Sequence, residues 1–342
     1  LAALPDQQHL AVRLFQHRAR ARPTTGDVYA CANAGPGVGG MTRFDGVRWT
    51  GFNEHQYGLG VPWPFPNDNC QAVGMRPSTG EVASNPTYDA IHQWDGDAWS
   101  DLGGMSESVG LIEDSLGRLW SLGEYFDLRY HDGTSWIDVP HNGSWGQNIQ
   151  RDPSRAGTVW VSTFGEVLRT DGSYRFSRQV DDFPQLNPQS DQFSTVAPAP
   201  DGIAWVGSTQ GLFRLDSNTG GYQYFTSLGG VSVLGARPLA VTPDGRLWFN
   251  VFAQPGSPLH GLGWYDGVNV GTYQAPLGGE PQWGGLPHAQ IAGLEVRTTA
   301  NGYELWMSCL SRGLSVLSVP AAGIFGDGFE SGDFRAWSVV VP

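Results

Sequence analysis

"RPTTGDVYA" occupies residues 22–30, and "RPSTGEVAS" occupies residues 76–84. Each nonapeptide puts a turn ending in glycine before a short apolar run, which reads as two strands joined by a tight connection. The pattern recurs as Gly26…Tyr29, Gly80…Ala83, Gly117…Trp120, Gly157…Trp160, Gly202…Trp205, Gly245…Trp248 and, with one extra residue, Gly302…Trp306. These seven copies stand mostly 37 to 58 residues apart. Strand repeats of that period point to propeller blades.

A second landmark follows each of the first six copies: Phe44-Asp45-Gly46, Trp94-Asp95-Gly96, His131-Asp132-Gly133, Thr170-Asp171-Gly172, Leu215-Asp216 with Gly220, and Tyr265-Asp266-Gly267. Asp-Gly between alternating runs marks a hairpin, because glycine supplies the positive φ of the turn. Each unit therefore reads as strand a, a glycine-closed turn, strand b, a loop, strand c, an Asp-Gly turn and strand d. The recurring tryptophans belong between neighbouring blades, where a large ring buries area against the next sheet. The expected fold is all-β: a seven-bladed β-propeller with four-stranded blades. Composition agrees, with 48 glycines, 14 tryptophans and only 15 % charged residues in 342. No sustained apolar stripe at helical spacing competes with it.

The runs "IEDSLGRLWSLGEYFDLRYHDGTSW" (112–136), "APAPDGIAWVGSTQGLFRLDSNTGGYQYF" (197–225) and "GLPHAQI" (285–291) resemble the two-component-regulator propeller repeat. That resemblance implies a seven-bladed propeller of the kind found in exported or periplasmic sensor regions. The tail "IFGDGFESGDFRAWSVVVP" (324–342) resembles the "DGFESG…W" C-terminal segment of exported gammaproteobacterial proteins, which implies a secreted, periplasmic or extracellular location. The propeller is expected over 1–322 and a separate tail over 323–342. Blade 7 lacks a fourth strand of its own, and either "HLAVRLF" (9–15) or "RAWSVVV" (335–341) could supply it. Register favours 9–15, since aligning "RPTTG" with "RPSTG" makes 17–22 strand a of blade 1. The tail must then dock elsewhere through Phe325, Phe329 and Trp337, on this chain or on another copy of it.

The formal net charge of −13 argues against a nucleic-acid partner, whose phosphates need a basic face. No apolar run reaches the roughly 18–20 residues of a membrane helix. Cys31, Cys70 and Cys309 form no metal-binding spacing and allow one disulfide. In the expected topology all three lie toward one face on neighbouring blades, and a Cys31–Cys70 bridge is preferred over Cys31–Cys309.

The b–c loops and d–a connections open on the same face and are the long ones, so this face is the default binding surface. It carries His55, Tyr57, Trp63, Phe65, His141, Trp145, His260, Trp283 and His288. The histidines show no HxH or HExxH spacing, so no metal is expected. The stretch "AGPGVGG" (34–40) lacks the lysine and helix of a phosphate loop, and no other cofactor motif or nucleophile elbow is present. Two readings follow: an exported non-enzymatic propeller that binds a ligand, a surface or copies of itself, or a propeller lyase or hydrolase with a His/acid site at the channel mouth. A detached periplasmic sensor domain is a third.

Overall fold

The computed structural model describes residues 19–21, 27–32, 40–45, 47–52, 70–86, 89–104, 107–125, 127–251, 261–275, 286–309, 313–321 and 337–340. These residues build seven four-stranded antiparallel sheets, each in the spatial order a-b-c-d. The first sheet is Ala19–Ala21, Val28–Ala32, Gly40–Phe44 and Trp49–Phe52. Among the described residues helix is confined to two single turns, Val180–Asp182 and Pro200–Gly202. The all-β, seven-bladed propeller is thus the observed architecture. In a representative c–d turn, Gly133 has φ +103°, and the Asp132 carboxylate accepts from the amides of Thr134 and Ser135 at 2.8 and 2.9 Å.

The repeated position in strand b explains how the blades cohere. Trp120 packs with Val159, Val161 and Leu168 of blade 4, Trp160 with Val206 and Phe213 of blade 5, and Trp205 with Leu247 and Phe249 of blade 6. Trp248 packs with Leu305 and Met307 of blade 7, and Trp306 with Val28 and Ala30 of blade 1. All five rings are buried. Removing each from water is worth roughly 1.5–3 kcal/mol before entropy is counted. Blade 2 carries Ala83 at this position, and it packs with Leu111 and Leu119 of blade 3. There the sheets come close: a Cβ on Gly74 would lie 2.7 Å from that of Leu111.

Blade 7 consists of Ile291–Thr299, Gly302–Cys309, Gly313–Pro320 and Trp337–Val340. Its outer strand therefore comes from the C-terminal tail, antiparallel to the third, with Leu314 opposite Val340 and Leu317 opposite Trp337. This corrects the expectation that 9–15 fills that place. The 9–15 segment itself lies outside the described residues, while Ala19–Ala21 forms strand a of blade 1 as the register implied. The physical reason is chain order: with strand a of blade 1 supplied by 19–21, blade 7 takes its fourth strand from the chain that follows its third. The boundary drawn at 322 accordingly does not separate the propeller from all of the tail.

Cys31 and Cys70 form a disulfide, with Cα atoms 5.1 Å apart, joining blade 1 to blade 2. Cys309 is a buried free thiol, and burial pushes its pKa up to about 12. No helix among the described residues is long and apolar enough to cross a membrane.

Candidate functional site

Of the expected loop-face residues, His141, Trp145 and His288 are described. His55, Tyr57, Trp63, Phe65, His260 and Trp283 lie outside the described residues, as do Phe325 and Phe329 of the tail. For Trp337 the structure gives a backbone place in blade 7.

His141 and Trp145 sit in the connection from blade 3, whose last strand is Trp136–Asp138, to blade 4, whose first is Gly146–Arg151. This connection is held by Glu166, the first residue of the third strand of blade 4 (Glu166–Thr170). The Glu166 carboxylate is buried. Its Oε2 accepts from the amides of Asn142 at 2.7 Å and Gly143 at 2.9 Å. Its Oε1 accepts from Arg175 at 2.5 Å and from the Ser177 hydroxyl. His141 Nδ1 stands 4.0 Å from the same group. Burial pushes the Glu166 pKa up, but the bonds from Ser177, the Asn142 amide and Arg175 outweigh it and hold the carboxyl below its usual range. A carboxylate kept ionised, with both oxygens occupied by local donors, is a loop clamp rather than a proton donor.

What the clamp positions is Trp145. Its backbone has φ +55°, a left-handed conformation uncommon for a bulky residue. Trp145 is 41 % exposed as a residue, and its ring stands 4.7 Å, centroid to centroid, from that of Tyr125, itself 46 % exposed. The half-buried Phe164 ring lies 6.2 Å from Trp145, stacked at 25° to its plane. Tyr125 comes from the b–c loop of blade 3 and Phe164 from the b–c loop of blade 4, so three loops build one aromatic ledge. Backbone bonds lock them: the Trp145 amide donates to Tyr125 O at 3.3 Å, Gly146 to Glu124 O at 2.9 Å, and Phe164 to Ser144 O at 3.0 Å. The flanking glycines permit this closeness. A Cβ at Gly143 would meet Thr163 Oγ1 at 2.0 Å, and one at Gly146 would meet Gly123 O at 2.2 Å.

Two acidic residues pair near Tyr125 in the blade 3 loop. Glu124 precedes Tyr125, and its backbone amide donates to Glu107 O at 2.8 Å. Burial and the charge of Glu107 push the Glu124 pKa up. His288 lies in the connection from blade 6 to blade 7, where its Nδ1 accepts from the Gln290 amide at 3.0 Å. The structure therefore brings one expected histidine beside a carboxylate and leaves the other on a distant blade. Among the described residues no cluster of three or more His, Cys, Asp or Glu could hold a metal ion.

Sequence reading found Trp145 but missed Tyr125, Phe164 and Glu166. The available signal was "NGSWGQN" (142–148), a tryptophan between two glycines that free its loop to fold tightly onto a blade.

A cavity of about 280 Å³ lies elsewhere, in the central channel toward the short a–b turns. It is lined by residues at or near the ends of inner strands, among them Met75, Ile112, Arg151, Pro198, Leu239 and Leu294. Its cation is tied into the frame, since Arg151 donates to Glu113 O at 2.8 Å across the joint of blades 3 and 4. The concave site and the aromatic ledge thus lie on opposite faces.

No family model matches the chain, and no curated protein matches it. Its fold is similar to the extracellular domain of a hybrid two component system protein of B. thetaiotaomicron, with TM-score 0.65 and 12 % identity. That match covers 90 % of this chain and 38 % of the other, so the chain spans well under half the length of that neighbour. It is also similar to the GH74 xyloglucanase of Xanthomonas campestris, with TM-score 0.60, 15 % identity, and 90 % and 53 % of the two chains covered. A third similar structure is the WD40 β-propeller domain of Doa1, with TM-score 0.61, 11 % identity, and 90 % and 95 % covered. At these identities the likeness is one of fold: the chain is a seven-bladed propeller whose structural neighbours include extracellular domains of two-component-system proteins.

Proposed function

We propose that this chain is an exported, non-enzymatic propeller that binds its ligand through the long-loop face, at the ledge of Tyr125, Trp145 and Phe164. The observation that carries the reading is Trp145: a large ring left substantially in water, on a backbone at φ +55°, braced by two other rings. Such exposure and strain are retained where the surrounding structure over-determines them, and they concentrate at binding sites. Export is supported by the Cys31–Cys70 bridge, since disulfides persist in oxidising compartments. The extracellular neighbours and the tail's "DGFESG" segment point the same way. A place for Trp337–Val340 in blade 7 favours ring closure over self-association as the work of the tail. The hydrolase reading draws no support from His141, whose neighbouring carboxylate is consumed as a clamp.

The test is binding of the purified protein to an immobilised panel of neutral oligosaccharides, acidic oligosaccharides, peptides and phospholipid vesicles. Binding to one class that is lost in Trp145→Ala and kept in His288→Ala is the expected result. Binding that survives Trp145→Ala, or turnover of any panel member, overturns the proposal.

A further inference from the structure

We infer that the joint of blades 6 and 7 holds a second binding site, in which Arg237 pairs with the carboxylate of a small hydroxy acid or amino acid. It is independent of the ledge, which stands on blades 3 and 4.

Arg237 opens Arg237–Val241, the first strand of blade 6, and so stands at its long-loop end. Its register partner is Asn250 in the second strand, and directly opposed residues of an antiparallel pair share one face of the sheet. That face looks toward blade 7. Trp248, two residues before Asn250, packs with Leu305 and Met307, and Asn250 Nδ2 donates to Ala289 O at 2.7 Å in the connection to blade 7. The guanidinium and the carboxamide thus start from neighbouring positions on one wall of the joint.

Both carry an unanswered polar atom. Arg237 Nε is closed off from solvent and has no hydrogen-bond partner, although the residue as a whole is half-buried. Burial alone pushes its pKa down, with no neighbouring carboxylate to raise it. Arginines elsewhere in the frame are answered: Arg118 and Arg169 donate to Asp114 and Asp152, Arg175 to Glu166, and Arg178 to Gly220 O. A cation set into a joint without an acceptor selects an anion.

Asn250 says what else the anion must carry. Its amide hydrogens go to Gly261 O at 2.8 Å and to Ala289 O, which fixes the carboxamide and leaves buried Oδ1 an acceptor without a donor. Blade 2 has the same residue at the same place, since Asn85 follows Ala83 as Asn250 follows Trp248, but its register partner is Ala72. There Nδ2 likewise donates to Ala90 O, while Oδ1 accepts from the amide of Ser108 in blade 3 at 2.7 Å. Blade 6 thus puts an arginine where blade 2 has an alanine, and its asparagine receives no such amide from the next blade. A carboxylate lies along the guanidinium fork, and a hydroxyl or ammonium on the adjacent carbon supplies the donor that Oδ1 lacks. One guanidinium balances one negative charge, and a sulfate or phosphate dianion would set a further acceptor against Oδ1.

The experiment is calorimetric titration of the full chain with lactate, gluconate, glycine and alanine up to millimolar concentration, beside acetate and inorganic phosphate. At least one of the four donor-bearing carboxylates should bind one-to-one and about tenfold more tightly than acetate, and the two pairs separate hydroxy acids from amino acids. Arg237→Gln should weaken binding about tenfold or more, with circular dichroism checking its fold. Arg237→Lys keeps the charge but not the fork; it should weaken binding about threefold or more, and it serves if the glutamine variant does not fold. Saturating ligand should raise the melting temperature of the parent and leave that of Arg237→Gln unchanged. Trp145→Ala should bind as the parent does. Acetate binding as tightly as the best ligand overturns the part given to Asn250, and tighter binding of phosphate overturns the carboxylate. Binding unchanged in Arg237→Gln overturns the site. If no carboxylate binds, the inference falls whatever the ledge does.

Discussion

Replacing Glu166 by glutamine tests whether the ledge is held by a buried charge. The substitution keeps volume and one acceptor oxygen. That oxygen can still serve the Asn142 and Gly143 amides, which now donate to a neutral group. Hydrogen bonds to ionised acceptors are roughly twice as strong as neutral ones, so these two lose about 0.5–1 kcal/mol each. On the other side an NH₂ faces Arg175 Nη2, and a charge-assisted bond worth about 1.5–3 kcal/mol is lost. Because Arg175 is one-third exposed, water recovers part of that, and the Ser177 hydroxyl can turn to accept. The sum is about 3 kcal/mol, measurable at pH 7 by urea titration with tryptophan fluorescence. Hydrogen exchange at Asn142 and Gly143 should accelerate in the variant, since local opening of the loop becomes easier.

The pH dependence has a definite sign. The Glu166 pKa is lower folded than its usual 4.5, so its contribution is complete above that value and is lost as pH falls through the folded pKa. The gap between parent and Glu166→Gln should therefore narrow below pH 4.5. A gap under about 1 kcal/mol with unchanged exchange would refute the clamp, as would a gap that widens in acid.

Trp145→Gly should be more stable than Trp145→Ala by about 1 kcal/mol in the same titration, because φ +55° suits glycine and strains alanine; the reverse order would remove the strain argument. Replacing Cys31 and Cys70 together by serine opens a bridge of sequence separation 39 and should cost about 4 kcal/mol if the chain-entropy model holds, read as a lower urea midpoint under oxidising conditions. Deleting 322–342 removes the fourth strand of blade 7 and bares the edge of Gly313–Pro320; light scattering should find aggregate or unfolded chain, and a monomer with unchanged melting would show that the strand is dispensable.

Much of the fold was legible because its determinants are local and repeated. A glycine opens strand b in every unit, Asp-Gly marks the c–d turn in five of them and a large ring fills strand b in all but the second, and the blade boundaries follow from their spacing. The source of the last strand was less legible. Residues 9–15 and 335–341 carry similar apolar alternation, and pairing partners are set by the ring as a whole. The site was hidden for a related reason. Histidines drew attention by their chemistry, yet Tyr125, Trp145 and Phe164 are 20 and 19 positions apart and meet only because blades 3 and 4 stand side by side. Glu166 looks like any polar residue opening a strand, and nothing local shows that its carboxylate reaches back to residues 142 and 143.

The placement of the ledge has its own logic. Each described blade is built from consecutive strands, so the ring closes between blades 7 and 1 through side chains: Trp306, Leu314 and Val316 against Val28, Ala30, Phe44 and Trp49, with Phe44 and Trp306 5.9 Å apart. The Cys31–Cys70 bridge secures the neighbouring joint, between blades 1 and 2. Blades 3 and 4 lie across the ring from the closure between blades 7 and 1, and their joint is tied toward both faces. Toward the short turns, Arg118 donates to Gly157 O and to Asp171 O, Arg151 donates to Glu113 O, and the Gly157 amide donates to Ser115 Oγ. Toward the loops, Gly146 and Trp145 donate back to Glu124 and Tyr125. Rings contributed by two blades keep their spacing only where the blades cannot shear, and this doubly tied joint meets that condition.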